Sequence, residues 1–359
     1  TGALYTFDLA ADSITCRQLL EKERDISQWK LSQSLKGLEV LTFNKKECVL
    51  ANDNITFGVQ CDSLMIVVPH KEIMLECKSL IGGKWNRLSC GHLTVIDDYG
   101  GMAVNPDIPS GTGRLSCVDT GVRPGRVARG GLDFGGLFDN QTHISNATPG
   151  WQVKWTVSPG ERIGISVFPP KPFPWKDSFD GTFTIARRSC NTEEYKEWGK
   201  YAKVLILWDF FQRSWGMSYG QEYPVKNVEE LKKHMDAAKE AGMKPVPYMS
   251  GWFYYSRNAD EFAGEVKRLK ETYGFEGVYF DGLPTESWVV AYEEMRLTRE
   301  IYPDGMIVLH HTYPAPLMEG SSELPAIAAY ADMTYMAELI HGYGKAWEYP
   351  KYFVSQYRK

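Results

Sequence analysis

The sequence predicts a multidomain protein that combines β and α/β structure: an N-terminal β-sandwich over residues 1–175 and a parallel (β/α) barrel over residues 176–359. Three observations support this division. Short strand-like segments fill the chain before residue 175. Apolar runs alternate with amphipathic helices after it. The length of 359 residues, of which 43% are hydrophobic, suits about two domains with sizeable cores.

The N-terminal part contains seven segments that are rich in Val, Ile, Thr and Phe and are separated by turn-forming residues. These predicted strands are 37–43, 54–61, 63–69, 72–80, 91–98, 151–157 and 162–168. A series of short strands without helices is typical of an all-β sandwich. The stretch 100–150 is rich in Gly and lacks the strand pattern, so we expect long irregular loops there.

The C-terminal part has three amphipathic helices, predicted over 227–242, 260–274 and 286–305. The first has Asn227 and Gly242 as typical start and stop residues. Strands are predicted around these helices over 182–187, 203–209, 244–250, 277–282, 305–312, 331–338 and 352–357. This order indicates right-handed βαβ units and a parallel sheet.

A doubly wound nucleotide-binding sheet is disfavoured, because no Gly-rich phosphate loop follows an early strand. A (β/α)8-type (TIM) barrel fits better, although only seven strands can be counted. Either the barrel is truncated at its C-terminal end or one strand is miscounted, and we favour truncation. The first residues lack the features of a signal peptide, so we expect a mature, trimmed or partial chain.

Composition limits the classes of binding partner that the sequence predicts. The formal net charge of −5 gives no electrostatic reason to expect nucleic acid, and no run of about 18 apolar residues predicts a membrane span. The seven cysteines form no Cys-x-x-Cys pair, so no structural zinc site is expected, and their wide spacing does not indicate a disulfide framework. No cofactor is predicted. The 11 Trp, 20 Tyr and 16 Phe suit a protein that binds the flat faces of sugar rings.

Candidate site residues follow the predicted strands, because catalytic groups of a barrel lie at the carboxyl ends of its strands. Asp281 follows the apolar run 277–280 and is placed at the end of strand four, next to Gly282. An Asp-Gly turn is the structural alternative for this pair. Substrate-binding candidates at other strand ends are Asp209, Trp208, Trp252, Tyr254, His310 and His311. The structural alternative for Asp209 is that it only caps a turn. For each aromatic residue the alternative to substrate binding is simple packing.

Three segments carry a family resemblance: "AAKEAGMKPVPYMSGWF" (237–253), "YGFEGVYFDG" (273–282) and "AYADMTYMAE" (329–338). In this order they resemble barrel glycoside hydrolases with an N-terminal β-sandwich, in the style of the α-galactosidase clan and the endo-α-N-acetylgalactosaminidases. The resemblance implies that Asp281 is the nucleophile. That clan has a second Asp on strand six as acid/base, where this sequence has Glu338.

Two carboxylates suit glycoside hydrolysis, because one stabilises the oxocarbenium-like transition state or activates water and the other protonates the leaving oxygen. We therefore predict a glycoside hydrolase with Asp281 and Glu338 as catalytic pair, within about 10 Å of each other. The substrate would be an oligosaccharide or polysaccharide, and the location extracellular or periplasmic. Catalytically silent carbohydrate binding is the alternative function.

Other polar residues are weaker candidates for a role in catalysis or binding. Glu319 and Glu323 are rival acids on a predicted loop, and Asp332 begins strand six at the opposite end of the barrel, where a structural role is expected. His310 and His311 are adjacent, so they point to opposite sides of a strand and no metal site is expected. A Gly-rich loop contains Arg114, Arg123, Arg126 and Arg129. We expect these arginines to be solvated on the loop, and recognition of a sulfated or acidic sugar is the alternative.

Overall fold

The computed structural model divides the chain into two compact units, Thr1–Pro172 with Ala315–Ala329 and Phe173–Pro314 with Tyr330–Lys359. It describes residues 2–60, 63–82, 85–89, 92–107, 118–119, 141–143, 149, 152–172, 182–211, 222–250, 258–283, 288–311 and 325–335. The division at residue 175 that we expect from the sequence stays a prediction.

The first unit consists mainly of antiparallel strands. They are β1 (Ala3–Asp8), β2 (Ser13–Gln18), β3 (Arg24–Leu31), β4 (Glu39–Phe43), β5 (Glu47–Ala51), β6 (Ile55–Gln60), β7 (Leu64–Pro69), β8 (Ile73–Ser79), β9 (Trp85–Ser89), β10 (His92–Asp97), β11 (Gly100–Asp107), β12 (Val118–Asp119), β13 (Gln141–His143), β14 (Gln152–Val157) and β15 (Arg162–Phe168). One sheet has the order β1-β2-β3-β8-β14-β12, and the other has the order β13-β9-β10-β11-β15-β7-β6-β5-β4.

The buried faces of these two sheets contribute to one hydrophobic cluster. In β2 the burial alternates along the strand, as a sheet with one covered face requires. Trp29 and Trp155 of the six-stranded sheet stack with ring centroids 5.8 Å apart. Phe7 of β1 meets Phe57 of β6 edge to face at 5.0 Å, which joins the two sheets through aromatic contact.

The seven strands predicted in this part are present, with their ends shifted by at most two residues. The expectation of loops over 100–150 is wrong for β11 and for the short strands β12 and β13. Of these, β11 is buried along its length between β10 and β15. The glycines of β11 are typical of loops, which is why the sequence pattern does not predict this strand. One of them is required by the packing of the sheet. A Cβ atom on Gly101 would lie 1.8 Å from the carbonyl oxygen of Val95, so only glycine fits this close approach.

The second unit alternates parallel strands with helices. Its elements are β16 (Thr182–Ala186), a 3₁₀ turn (Thr192–Glu194), α1 (Tyr195–Trp198), β17 (Ala202–Leu207), α2 (Val228–Glu240), β18 (Lys244–Ser250), α3 (Ala259–Tyr273), β19 (Gly277–Leu283), α4 (Trp288–Ile301), β20 (Met306–His311) and β21 (Met333–Tyr335). A further short helix, α5 (Pro325–Ala328), belongs to the first unit.

Local sequence determines where α2 and α3 begin and end. The side chains of Asn227 and Asn258 accept hydrogen bonds from backbone N–H groups three residues ahead, which caps both helices. Gly242 and Gly274 follow the last turns with φ of +77° and +75°, a left-handed conformation that glycine adopts without strain. These signals explain why the predicted limits of the two helices are nearly those observed.

The six strands β16–β21 pair in parallel and in sequence order. Strands three apart in a flat sheet would be about 14 Å apart. Phe183 on β16 and Tyr279 on β19 nevertheless have ring centroids only 6.4 Å apart, because the sheet curls and brings both rings into its concave side. Phe280 points the other way and contacts Phe262 of α3 at 5.4 Å. This curled parallel sheet is consistent with a partial TIM barrel.

Two details of the predicted barrel need correction. β19 continues to Leu283, so Asp281 does not end its strand. β21 begins at Met333, which leaves Asp332 just before it. The predicted strand 352–357 lies outside the described residues.

Candidate active site

Strand register brings Asp281 and His310 together. Asp281 is paired with Ser250 of β18 on one side and with His310 of β20 on the other. Paired residues of parallel strands point to the same side of the sheet. Two positions earlier, Tyr279 belongs to the cluster on the concave side, so Asp281 faces that side as well.

The carboxylate of Asp281 is held through both of its oxygens. Tyr248 of β18 donates its phenolic O–H to Oδ2. The Nδ1 atom of His310 lies 2.7 Å from Oδ1, and because an ionised carboxylate only accepts, this nitrogen carries the proton. Hydrogen bonds of this kind favour the ionised form of a carboxyl group.

The side chains of Asp281, His310 and Tyr248 differ in their exposure to solvent. Asp281 remains 23% exposed, whereas the side chain of His310 is only 6% exposed and Tyr248 is buried. The carboxylate can therefore meet a ligand while its two partners stay beneath it. A carboxylate that is fixed, charged and accessible can act as a nucleophile, as a base or as an electrostatic partner for a developing cation.

Aromatic rings support this arrangement. Tyr279 lies 5.3 Å from Tyr248 and 6.4 Å from the imidazole of His310, measured between ring centroids. Trp208, which follows β17, meets Tyr248 edge to face at 6.3 Å. These contacts restrict the orientation of both partners of Asp281 and form a mostly buried aromatic cluster that reaches from β20 to the end of β17.

The other predicted binding residues have different positions. Asp209 accepts a hydrogen bond of 2.6 Å from the backbone N–H of Arg188, in the turn that follows β16, and its role in sugar binding stays a prediction. His310 contacts Asp281 through its Nδ1 atom, and its predicted contact with substrate stays a prediction. His311 pairs through its backbone with Leu283, after a register shift that follows Asp281.

Several candidates lie outside the described residues. These are Trp252, Tyr254, Glu338, the rival acids Glu319 and Glu323, and the arginines Arg114, Arg123, Arg126 and Arg129. Their roles and the spacing of the two carboxylates stay predictions.

Sequence reasoning missed Tyr248. It lies two positions before Ser250 in β18, and residues two apart on a strand share a face. Alternation along "KPVPYMS" could therefore have placed it on the same side as the strand end. Its contact with Asp281 depends on the register between β18 and β19, which no local pattern specifies.

Asp332 lies at the amino end of the sheet, away from Asp281. Its Oδ2 accepts hydrogen bonds from Arg299, at 2.6 Å, and from the backbone N–H of Ile307, at 2.8 Å. Within the described ranges no group of three or more His, Cys, Asp or Glu residues could hold a metal ion. No helix in the part of the chain that the structure describes is long and apolar enough to cross a membrane.

Comparison with known proteins gives limited structural likeness. No protein-family model matches the sequence, and no match is found among curated proteins. An α-amylase from Lactobacillus plantarum is 12% identical, with 48% of this chain and 56% of that chain covered and a TM-score of 0.36. A family GH18 chitinase from Chromobacterium violaceum is 14% identical over 43% of this chain and 49% of that chain, with a TM-score of 0.32.

The similar structures are not all glycosidases. The carboxyl transferase domain of pyruvate carboxylase from Rhizobium etli is 13% identical over 42% of this chain and 26% of that chain, with a TM-score of 0.29. The chain spans about half of the length of the α-amylase and the chitinase. These similarities are too low to assign an activity.

Proposed function

We propose that this protein is a glycoside hydrolase, built from an N-terminal β-sandwich and a (β/α) barrel whose curled sheet carries the reacting groups. Asp281 would act as the nucleophile, or as the base in an inverting reaction. One observation supports this most: the Asp281 carboxylate is held at both oxygens by Tyr248 and His310 and is still partly exposed on the concave side of the sheet. The substrate would be an oligosaccharide or polysaccharide.

Hydrolysis also needs a proton for the leaving oxygen, and Glu338 is our candidate for the acid. Asp281 is poorly suited to that role, because two donors already stabilise its charged form. The division of labour between a charged carboxylate and a protonated one is the general requirement of glycosidic cleavage. We also propose an extracellular or periplasmic location.

The first experiment replaces Asp281 with Asn, which keeps the size and removes the charge. Activity would be screened on a panel of aryl glycosides and by release of reducing ends from mixed oligosaccharides. We expect a loss of several orders of magnitude in turnover, as is typical when a reacting group is removed. The matched control is Asp236→Asn, on the exposed face of α2, which should keep full activity. Near-normal turnover of folded Asp281→Asn protein would remove this residue from the mechanism.

The second experiment tests the acid. An activated leaving group needs no proton, so Glu338→Gln should keep more activity on aryl glycosides than on natural glycans. Glu319→Gln and Glu323→Gln serve as controls. The assignment of Glu338 is wrong if either control shows that selective pattern and Glu338→Gln does not.

Binding without catalysis is the second candidate function, and the partly exposed ring of Trp208, which meets the buried Tyr248 edge to face, favours it. Such a ring can stack on a sugar without any chemistry. The two functions differ in one measurement: a silent binding protein retains glycans on an affinity column but releases no reducing ends after prolonged incubation.

A further inference from the structure

Arg187 extends the concave face of the sheet at its β16 edge. In the pairing of β16 with β17, Phe183 lies beside Val204 and Ile185 beside Ile206. The next positions with the same orientation are Arg187 and Trp208. Their side chains meet, with the guanidinium carbon of Arg187 4.7 Å from the ring centroid of Trp208.

The backbone on both sides of this contact is fixed. A turn closes after Arg187, because the N–H of Cys190 donates to the carbonyl oxygen of Arg187 at 3.0 Å. The N–H of Trp208 donates to the carbonyl oxygen of Ala186, also at 3.0 Å. The backbone under both side chains is therefore held in place, and the contact with Trp208 already orders the guanidinium. Binding of a ligand would then cost less arginine side-chain entropy than it would at an arginine without such a contact.

Arg187 differs from the other arginines in its charge environment. It is exposed, and no carboxylate within the described ranges forms an ion pair with it. Every other arginine whose side chain the structure describes has such a partner, as Arg188 has Glu230 at 2.6 Å. A guanidinium that lies over an aromatic ring can still donate two N–H groups in its plane to a planar or tetrahedral anion.

The position relative to Asp281 limits what this anion can be. Contacts run from Arg187 to Trp208, from Trp208 to Tyr248 and from Tyr248 to Asp281. Arg187 follows β16, three strands from β19, so its backbone lies within about 14 Å of the backbone of Asp281 across the sheet. A negative group bound at Arg187 could therefore be part of a ligand that also reaches Asp281. It would be far enough from the Asp281 carboxylate to avoid strong repulsion.

We propose that Arg187 and Trp208 form a binding subsite for an anionic sugar unit, so that the ligand of this site is an acidic glycan. The anion is a carboxylate or a sulfate group on a sugar next to the one at Asp281. This inference rests on the proposed function for the identity of the cleft, but binding can be tested without hydrolysis.

The test measures binding to the Asp281→Asn protein, which cannot turn over its ligand if Asp281 is essential. An array of carboxylated, sulfated and neutral glycans is the probe, followed by calorimetry on the best ligand of each class. We expect acidic glycans to bind more tightly than their neutral counterparts. Adding Arg187→Met, which keeps the apolar stem on Trp208, should weaken acidic binding by about tenfold to a hundredfold and leave neutral binding unchanged.

Two controls sharpen the result. Arg187→Lys keeps the charge but loses the planar pair of donors, so it should restore only part of the binding. Arg188→Met removes the neighbouring arginine, whose charge is already paired with Glu230, and should leave acidic binding unchanged. Carboxylated and sulfated glycans on the same array identify which anion is preferred.

The proposal is overturned if no acidic glycan binds, or if Arg187→Met binds acidic glycans as well as its parent does. Its failure can be told apart from failure of the proposed function. Acidic binding that depends on Arg187, with no hydrolysis by the unmodified protein, supports the subsite and refutes the hydrolase. Hydrolysis of neutral glycans alone supports the hydrolase and refutes the subsite.

Discussion

Replacing Arg299 with Met should destabilise the parallel sheet more than any other single arginine change in α4. Arg299 binds Asp332 at 2.6 Å and also donates to the carbonyl oxygens of Tyr330, Tyr302 and Gly305 at 2.7–3.2 Å. The Oδ2 atom of Asp332 in turn accepts from Ile307 in β20. One guanidinium thus connects α4 to the starts of β20 and β21.

The expected cost follows from burial. The side chain of Arg299 is 15% exposed and that of Asp332 only 5%, so the variant leaves a buried carboxylate without its cation. Removing one partner of a buried ion pair costs about 3–5 kcal/mol of unfolding free energy. In the same helix, Arg296 pairs with Glu293 and Glu300, which are 35% and 45% exposed. Pairs of that kind are worth about 0–1 kcal/mol, so Arg296→Met is the matched control.

Hydrogen exchange measured on peptides from α4, β20 and β21 gives the free energy of local opening in each variant. Arg299→Met should speed exchange in all three elements, and Arg296→Met should change it little. A second change, Asp332→Asn, should recover part of the loss, because it removes the buried charge. Equal effects of the two arginine variants, or a cost of Arg299→Met below about 1 kcal/mol, would refute this reasoning.

Three further predictions concern titration. Burial by itself raises the pKa of Asp97, but hydrogen bonds from Arg24 and from two backbone N–H groups outweigh it and lower that pKa. The resulting stability is present above about pH 4 and is lost as the pH falls through the lowered pKa, so urea titrations of wild-type and Arg24→Gln protein should converge in acid. Burial lowers the pKa of His234, so stability should fall as the pH drops below about 6.5, and His234→Gln should show a smaller fall between about pH 7.5 and about pH 5. Burial raises the pKa of Cys16 to about 12 and that of Cys77 well above its usual range. Mass spectrometry should find both thiols unmodified by iodoacetamide in the native protein and modified in urea; rapid native alkylation would contradict their burial.

Much of the architecture could be predicted from periodicity. Helices α2, α3 and α4 follow from apolar residues at helical spacing, and the strands around them from short apolar runs. β11 could not be predicted this way, because its glycines and Pro106 are typical of loops. Its backbone is accepted in the sheet because β10 and β15 pair with it on both sides, a contact between segments that are distant in sequence.

The candidate site shows the same limit. Asp281 can be proposed because an apolar run leads into a carboxylate and a glycine, which is a local pattern. The roles of its partners cannot be: no local signal singles out Tyr248, and the pattern around His310 predicts a substrate contact instead of a bond to Asp281. Their contacts with Asp281 depend on how β18 and β20 align with β19.

The sequence by itself therefore determined the three longer helices of the second unit, the strands around them and their order, and it singled out Asp281 as a candidate. Only the tertiary structure decided which side chains hold that carboxylate and that Arg187 lies on Trp208. The physical reason is that propensity, capping and amphipathic spacing act between residues a few positions apart. Register and curling are set by packing between strands that lie tens of residues apart, and a shift of one residue would turn Asp281 to the opposite face.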